Sequence, residues 1–367
     1  MRSQFLEAIE TAESWLDQLK GGPGLSPTCP LGDHHIKALL SACDQEEINT
    51  LIETADYARK VFMGNQVHLR GIIEFSNHCA RNCWYCGLRR DNTCLRRYRM
   101  PLRDIVAAAR EGAKLGFKTI VLQSGDDLWY SASMIRQMVE SIKQEVDVAI
   151  TLSIGEREFS EYEEMRAAGA DRFLLKHETA DPDLYARLHP GMTLDGRVER
   201  LKYLHRLGFQ VGSGNIVGLP GQTIDVLARD ICLMRDLDVE MAGIGPFIPH
   251  PATPLAGYPP GDMMTVLKVL ATCRIVMPWA HLPATTACGT LDPNGRQKAL
   301  RAGANVIMPD ITPAEYKALY EIYPGKNRVD IDAARGYQLA VEMIISLGRE
   351  VGQGYGHSSR HRPAPAA

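Results

Sequence analysis

The chain has 367 residues, 45% hydrophobic and 23% charged, a composition that describes a globular protein with a large core and excludes a disordered one. A net charge of −3 argues against a nucleic-acid surface, and no apolar run approaches the roughly 18 residues of a transmembrane helix. Nine cysteines without the spacing of a disulfide framework, behind a charged and amphipathic amino terminus, predict a reducing cytoplasm rather than a secretory route.

Residues 1–65 read as helices only, a helical N-terminal extension in which 44–62 carries apolar residues at helical spacing. From residue 66 onward short apolar runs alternate with amphipathic helices. The predicted strands are 67–75, 119–123, 146–153, 172–176, 210–217, 241–246, 282–286 and 305–308. The predicted helices include 102–115, 132–144, 158–168, 195–207, 224–236 and 263–277, and Gly116, Gly169 and Gly208 close three of them at the left-handed stop position. Strands alternating with helices eight times predict an α/β fold, a complete (β/α)8 TIM-type barrel over 66–350, in preference to an open doubly wound sheet. Residues 351–367 lack an apolar face and are expected to be a disordered tail.

The central motif is Cys79-Ala-Arg-Asn-Cys83-Trp-Tyr-Cys86, just past the first strand and therefore at the end of the barrel where active sites lie. Three thiolates from one loop suit a [4Fe–4S] cluster whose fourth iron has no protein ligand. S-adenosylmethionine (SAM) can chelate that iron, and an electron then cleaves its sulfonium to methionine and a 5′-deoxyadenosyl radical. Structural zinc would call for a fourth ligand, commonly from a second Cys pair, and the chain has none. Tyr85 would sit beside the nucleoside, or simply pack. The six other cysteines are widely spaced and most of them read as buried small hydrophobes, with Cys288 the one placed to face a cavity.

Bound SAM needs partners for an ammonium, a carboxylate, a ribose and an adenine. Lys176 and Glu178 follow the fourth strand at a two-residue spacing, so they are expected on one face, where a cation and an anion offset each other's burial. The alternative is a rim ion pair without a ligand. Thr151 and Ser153 repeat the spacing on the third strand with neutral hydroxyls, and Gln123-Ser124-Gly125-Asp126 follows the second. The glycines of Gly214–Gly221 permit close backbone approach after the fifth strand, and taken alone they fit any strand-to-helix turn. Thr285 and Thr286 end the seventh strand and Met308 the eighth, where β-propensity and packing account for them equally well.

Several longer stretches carry a resemblance. They include Gly71-Ile-Ile-Glu-Phe-Ser-Asn77, Thr119-Ile-Val-Leu-Gln-Ser-Gly125, Gly243-Ile-Gly-Pro-Phe-Ile-Pro-His-Pro251, Leu282-Pro-Ala-Thr-Thr-Ala287 and Gly303-Ala-Asn-Val-Ile-Met-Pro309. Together they resemble the HydE family of [FeFe]-hydrogenase maturases within the radical SAM superfamily, over residues from about 45 to 350. The resemblance implies one [4Fe–4S] cluster and SAM as cofactors, with SAM contacts at Gln123, Lys176, Glu178, Arg197 and Met241. It implies a substrate region near Thr151, Ser153, Thr285, Thr286, Met308 and Tyr323. It further implies a small iron-complex substrate, partner maturases and an electron donor. Some relatives carry three further cysteines near the carboxyl end for an auxiliary cluster; residues 328–337 here contain none, so no second cluster is expected. Lys176 stands where a relative is expected to have Arg, which keeps the charge and loses the bidentate geometry.

Three other readings share the cysteine loop: a methylornithine-synthase-like mutase, a biotin-synthase-like sulfur inserter, and a non-catalytic iron–sulfur scaffold. The sulfur inserter needs an auxiliary cluster for which no ligands are evident. Release of 5′-deoxyadenosine separates the enzymes from the scaffold.

Overall fold

The computed structural model describes residues 2–20, 28–326 and 330–360. Its first three elements are helices: α1 (Arg2–Leu19), α2 (Asp33–Leu40) and α3 (Gln45–Met63). They share one hydrophobic core with the rest of the chain, Phe5, Leu39 and Leu51 belonging to the same buried cluster as Ile73 and Leu267.

The strands are β1 (Gln66–Ser76), β2 (Thr119–Ser124), β3 (Ala149–Ser153), β4 (Arg172–Leu174), β5 (Gln210–Ser213), β6 (Ile216–Val217), β7 (Met241–Ala242), β8 (Gly245–Pro246), β9 (Val306–Ile307) and β10 (Glu350–Val351). Between them lie α4 (Leu102–Leu115), α5 (Ala132–Glu145), α6 (Phe159–Ala167), α7 (Pro182–Leu188), α8 (Leu194–Arg206), α9 (Ile224–Asp236) and α10 (Met263–Val276). The later helices are α11 (Thr286–Leu291), α12 (Gly295–Arg301), α13 (Ala314–Lys317) and α14 (Ala333–Ser346). Hydroxyls and carboxylates cap many of these, as Ser131 does for α5, Thr193 for α8, Thr223 for α9 and Asp262 for α10.

All paired strands are parallel, in the order β10-β1-β2-β3-β4-β5-β7, with β9 also paired to β1 and β6 paired to β8. Helices cover the outer face, so β1 is buried along nearly its whole length. Past β7 the contact continues through single bridges, Met241 to His281 and Pro283 to Val306.

Three predicted strands take a different form. The runs 210–217 and 241–246 are each broken in two, at Gly214–Asn215 and at Gly243–Ile244. The cause is a close approach of two backbones: Gly214 lies at φ +153°, and a Cβ there would stand 2.1 Å from the Gly243 carbonyl oxygen. The run 282–286 forms only bridges, because Pro283 has no N–H to donate and Thr286 already begins α11.

The tail is a correction to the expectation of disorder, at least over 352–360. Its carbonyls find buried guanidiniums at the amino ends of the strands. Arg70 donates to the Gly356 carbonyl at 3.1 Å, and Arg172 donates to the Tyr355 carbonyl at 2.7 Å. The signal was a set of unmatched arginines on distant strands, which no local pattern reveals. Residues 361–367 lie outside the described residues, as do 328 and 329 of the cysteine-free segment.

Candidate active site

A cavity of about 360 Å³ opens at the carboxyl ends of the strands. Cys79, Cys83 and Cys86 form one wall of it. Their loop is held by Arg97, whose guanidinium donates to the carbonyls of Leu88 at 2.9 Å, Arg89 at 2.8 Å and Asn92 at 3.2 Å. Gly125 presses against the start of the loop, since a Cβ there would lie 2.3 Å from the His78 carbonyl oxygen. Arg81 reaches Asp126 at 2.6 Å, and the Ala80 N–H donates to the Asp126 carbonyl at 2.9 Å.

Burial pushes the thiols up, Cys79 to about 11 and Cys86 to about 12, and Cys83 well above its ordinary value. Free of metal they are neutral; metal ligation requires their deprotonation.

The opposite charges of Lys176 and Glu178 meet at 2.9 Å, but not through strand alternation. β4 ends at Leu174, and Glu178 sits beyond it at φ +64°, a conformation a non-glycine residue rarely adopts. Its N–H donates to the Gly214 carbonyl and its own carbonyl accepts from Ile216, which locks the turn. The contact with Lys176 lacks hydrogen-bond geometry, so Oε2 of Glu178 is buried with its ion partner beside it and accepts no well-aligned hydrogen bond among the described residues. A buried carboxylate oxygen in a cavity wall is a ready acceptor for an ammonium or a hydroxyl of a ligand. The residues fit SAM on this observation.

Arg197 stands nearby, buried and held by Glu156 at 2.7 Å and by the Lys176 carbonyl. Tyr85 bonds His189 at 2.8 Å. Burial, reinforced by Arg197, lowers His189 to about 4, so the ring is neutral near pH 7. Its Nδ1 faces the Tyr185 carbonyl and must donate, which leaves Nε2 to accept from the Tyr85 hydroxyl.

Gln123, Met241, Ser153, Thr285, Thr286, Met308 and Tyr323 also line the cavity. Gln123 donates to the Tyr320 hydroxyl at 3.3 Å, Met241 sulfur accepts from Arg70 at 2.9 Å, and Thr286 accepts from Arg296 at 3.1 Å. Thr151 is not in the lining. It lies one pleat below Ser153, wholly buried, with its hydroxyl unbonded among the described residues. Cys288 stays behind the wall, 3.2 Å from the Thr285 hydroxyl.

Sequence reasoning missed Glu74, Lys326, Arg81, Asp126, Glu156 and His189. Glu74 and Lys326 meet in a buried contact in the cavity wall, and the other Glu74 oxygen has no hydrogen bond among the described residues. A lone carboxylate inside the apolar run 71–75 was the available signal for it.

The model of the Radical SAM superfamily matches residues 73–231. The chain is 48% identical to the [FeFe] hydrogenase maturase subunit HydE of Thermotoga maritima, over 89% of this chain and 93% of that one. It is 29% identical to the 3-methylornithine synthase of Methanosarcina acetivorans, over 78% of this chain and 81% of that one. Among solved structures, methylornithine synthase (PylB) superposes with a TM-score of 0.81 at 25% identity, covering 93% of this chain and 97% of that one. With three thiols and a buried Lys176–Glu178 pair converging on one cavity in such a fold, the chain is a radical SAM enzyme and belongs to the HydE family of [FeFe]-hydrogenase maturases.

Proposed function

We propose that this enzyme cleaves SAM reductively and acts in assembly of the diiron subcluster of [FeFe]-hydrogenase. The observation that carries it is the convergence of Cys79, Cys83 and Cys86 with the buried Lys176–Glu178 pair on a single cavity. Cys79, Cys83 and Cys86 hold one [4Fe–4S] cluster, which when bound supplies the electron that breaks the SAM sulfonium. Lys176 binds the SAM carboxylate, and Glu178 accepts from the ammonium or ribose. Tyr85, Gln123, Arg197 and Met241 complete that half of the cavity. Ser153, Thr285, Thr286, Met308 and Tyr323 line the substrate half, with Thr151 beneath them.

The single bridges beyond β7 and the pairing of β9 with β1 support a complete eight-unit barrel over 66–350, with 1–65 as its helical extension. A closed interior has room for a compact ligand and not for a long peptide. The substrate is a cysteine-bound iron complex bearing carbonyl and cyanide, supplied by a partner maturase and attacked at sulfur by the adenosyl radical. The compartment is an anaerobic, reducing cytoplasm; no helix among the described residues is long and apolar enough to cross a membrane.

The test is anaerobic incubation of the reduced enzyme with SAM and that complex, followed by mass spectrometry and EPR. An adenosyl group joined to the complex's sulfur is the expected product. Methylornithine formed from lysine would establish the mutase reading instead, and the absence of 5′-deoxyadenosine under any condition would establish the scaffold. Iron counting after reconstitution should give about four irons per chain, whereas about eight would reveal a second cluster.

A further inference from the structure

The segment carrying the cysteines is strongly basic. Residues 79–104 contain seven arginines against Asp91 and Asp104, in a chain whose net charge is −3. Both carboxylates are already bridged, Asp91 by Arg90 at 3.4 Å and Asp104 by Arg103 at 3.4 Å. Asp126 and Asp127 pair with Arg81 and Arg99 from beneath and so neutralise two of the cations. Seven arginines against these four carboxylates leave a positive excess: Arg96 is exposed, and Arg90 and Arg103 are exposed within their pairs with Asp91 and Asp104.

Two large apolar side chains that follow Asp127 in the chain also face water. Leu128 is 57% exposed and Trp129 56%. The Arg99 guanidinium, paired with Asp127, lies 5.0 Å from the centre of the Trp129 ring and so joins the apolar pair to the arginine-rich segment. The cysteine loop joins the two parts: the Arg90 N–H donates to the Arg81 carbonyl at 2.8 Å, and the Arg81 guanidinium reaches Asp126, two residues before Leu128, at 2.6 Å. Exposed tryptophan bordered by arginine has the composition of a protein-binding hot spot, and its charge selects an acidic partner.

We propose that Arg90, Arg96, Leu128 and Trp129 form the docking surface for an acidic one-electron carrier protein that reduces the cluster. This rests on the reading of Cys79, Cys83 and Cys86 as cluster ligands. One electron passes from the reduced carrier to the oxidised cluster; the carrier leaves oxidised by one electron, and no bond forms or breaks in the step. Opposite charge steers the encounter, and the apolar pair seats the complex behind the loop that holds the cluster.

The experiment uses full-length reconstituted enzyme with two reductants, a flavodoxin hydroquinone of negative net charge and dithionite, and follows bleaching of the cluster by stopped flow. The double variant Arg90→Glu with Arg96→Glu should slow flavodoxin-driven reduction at least tenfold and leave dithionite-driven reduction unchanged. Raising salt should slow the wild type with flavodoxin and scarcely affect the double variant. Trp129→Ala, which leaves the charge intact, should slow flavodoxin-driven reduction and keep the salt dependence. Wild-type flavodoxin rates in both variants would overturn the proposal and leave the patch to another protein. A wild-type enzyme with no dithionite-reducible chromophore would overturn the cluster reading and this proposal with it.

Discussion

Glu178 combines a left-handed backbone at φ +64° with a buried carboxylate oxygen that accepts no hydrogen bond among the described residues. Backbone strain of this kind costs about 1–3 kcal/mol, and it persists because the turn to Gly214 and Ile216 holds it. A residue retained for binding rather than for stability should show it in two measurements. Glu178→Gln and Lys176→Ala should each weaken SAM binding, by about tenfold for every 1.4 kcal/mol lost, in equilibrium dialysis. Glu178→Gly should melt no lower than the wild type while losing SAM affinity, because glycine takes positive φ freely. Unchanged affinity in all three would reduce the pair to a structural contact. At Glu74 the ionisation itself is altered. Burial raises its carboxyl from 4.5 to about 8, against the pull of Lys326. Between those values the folded protein holds a proton that the unfolded chain has released, so this residue makes stability fall as pH rises through that window and adds no further fall above it. Urea titrations at pH 5, 6.5 and 8 should show a shallower decline for Glu74→Gln than for the wild type. An equal decline in both would assign the pH dependence elsewhere.

At the scale of elements, the broken strands explain how the cavity is shaped. β5 and β7 end early at Gly214 and Gly243, and β6 and β8 resume as a separate pair beyond them. The interruption gives the Glu178 N–H a carbonyl, that of Gly214, and places Gly243 and Gly245 in the lining. Alternation along an unbroken strand would have aimed every second side chain inward and filled this space. Gly214→Ala should therefore destabilise the protein by roughly 2 kcal/mol or more, since the new Cβ meets backbone rather than a yielding side chain. Gly257→Ala, where a Cβ meets nothing within 4 Å, is the control expected to leave the melting temperature nearly unchanged. Equal melting of the two variants would remove close approach as the reason for the break.

On the scale of the whole molecule, the carboxyl tail and the cysteine loop occupy opposite ends of the strands. The tail meets Arg70, Thr119, Arg172 and Gln210 where strands begin, while the cysteines follow the end of β1. Burial depresses both Arg70 and Arg172, and the Tyr355 and Gly356 carbonyls are acceptors for them. Ending the chain after Val351 should lower the melting temperature by several degrees, as buried cations lose hydrogen-bond partners worth about 1.5–3 kcal/mol each. Iron loading should stay at the full-length value because the cysteine loop is untouched. A truncated protein that melts like the full chain would show that the tail does not support the parallel sheet.

Local pattern was enough to read the cysteine triad and the alternation of strands and helices, because ligand spacing in one loop and apolar periodicity in one element are short-range properties. Gln123, Ser153, Lys176, Glu178 and Thr285 could be picked out as candidates for the same reason: each lies at or just past a strand's carboxyl end, where a parallel α/β fold gathers its site. Tertiary structure alone decided what those residues face. Glu74 meets Lys326 across more than two hundred positions, Arg197 is held by Glu156, and Thr151 falls beneath the cavity floor rather than in it. The strand breaks at Gly214 and Gly243 and the seating of the tail on Arg70 and Arg172 arise from backbones meeting at distances no single segment encodes. Burial then fixes which of the charged groups keep their protons, because desolvation depends on everything packed around them and not on neighbours in the chain.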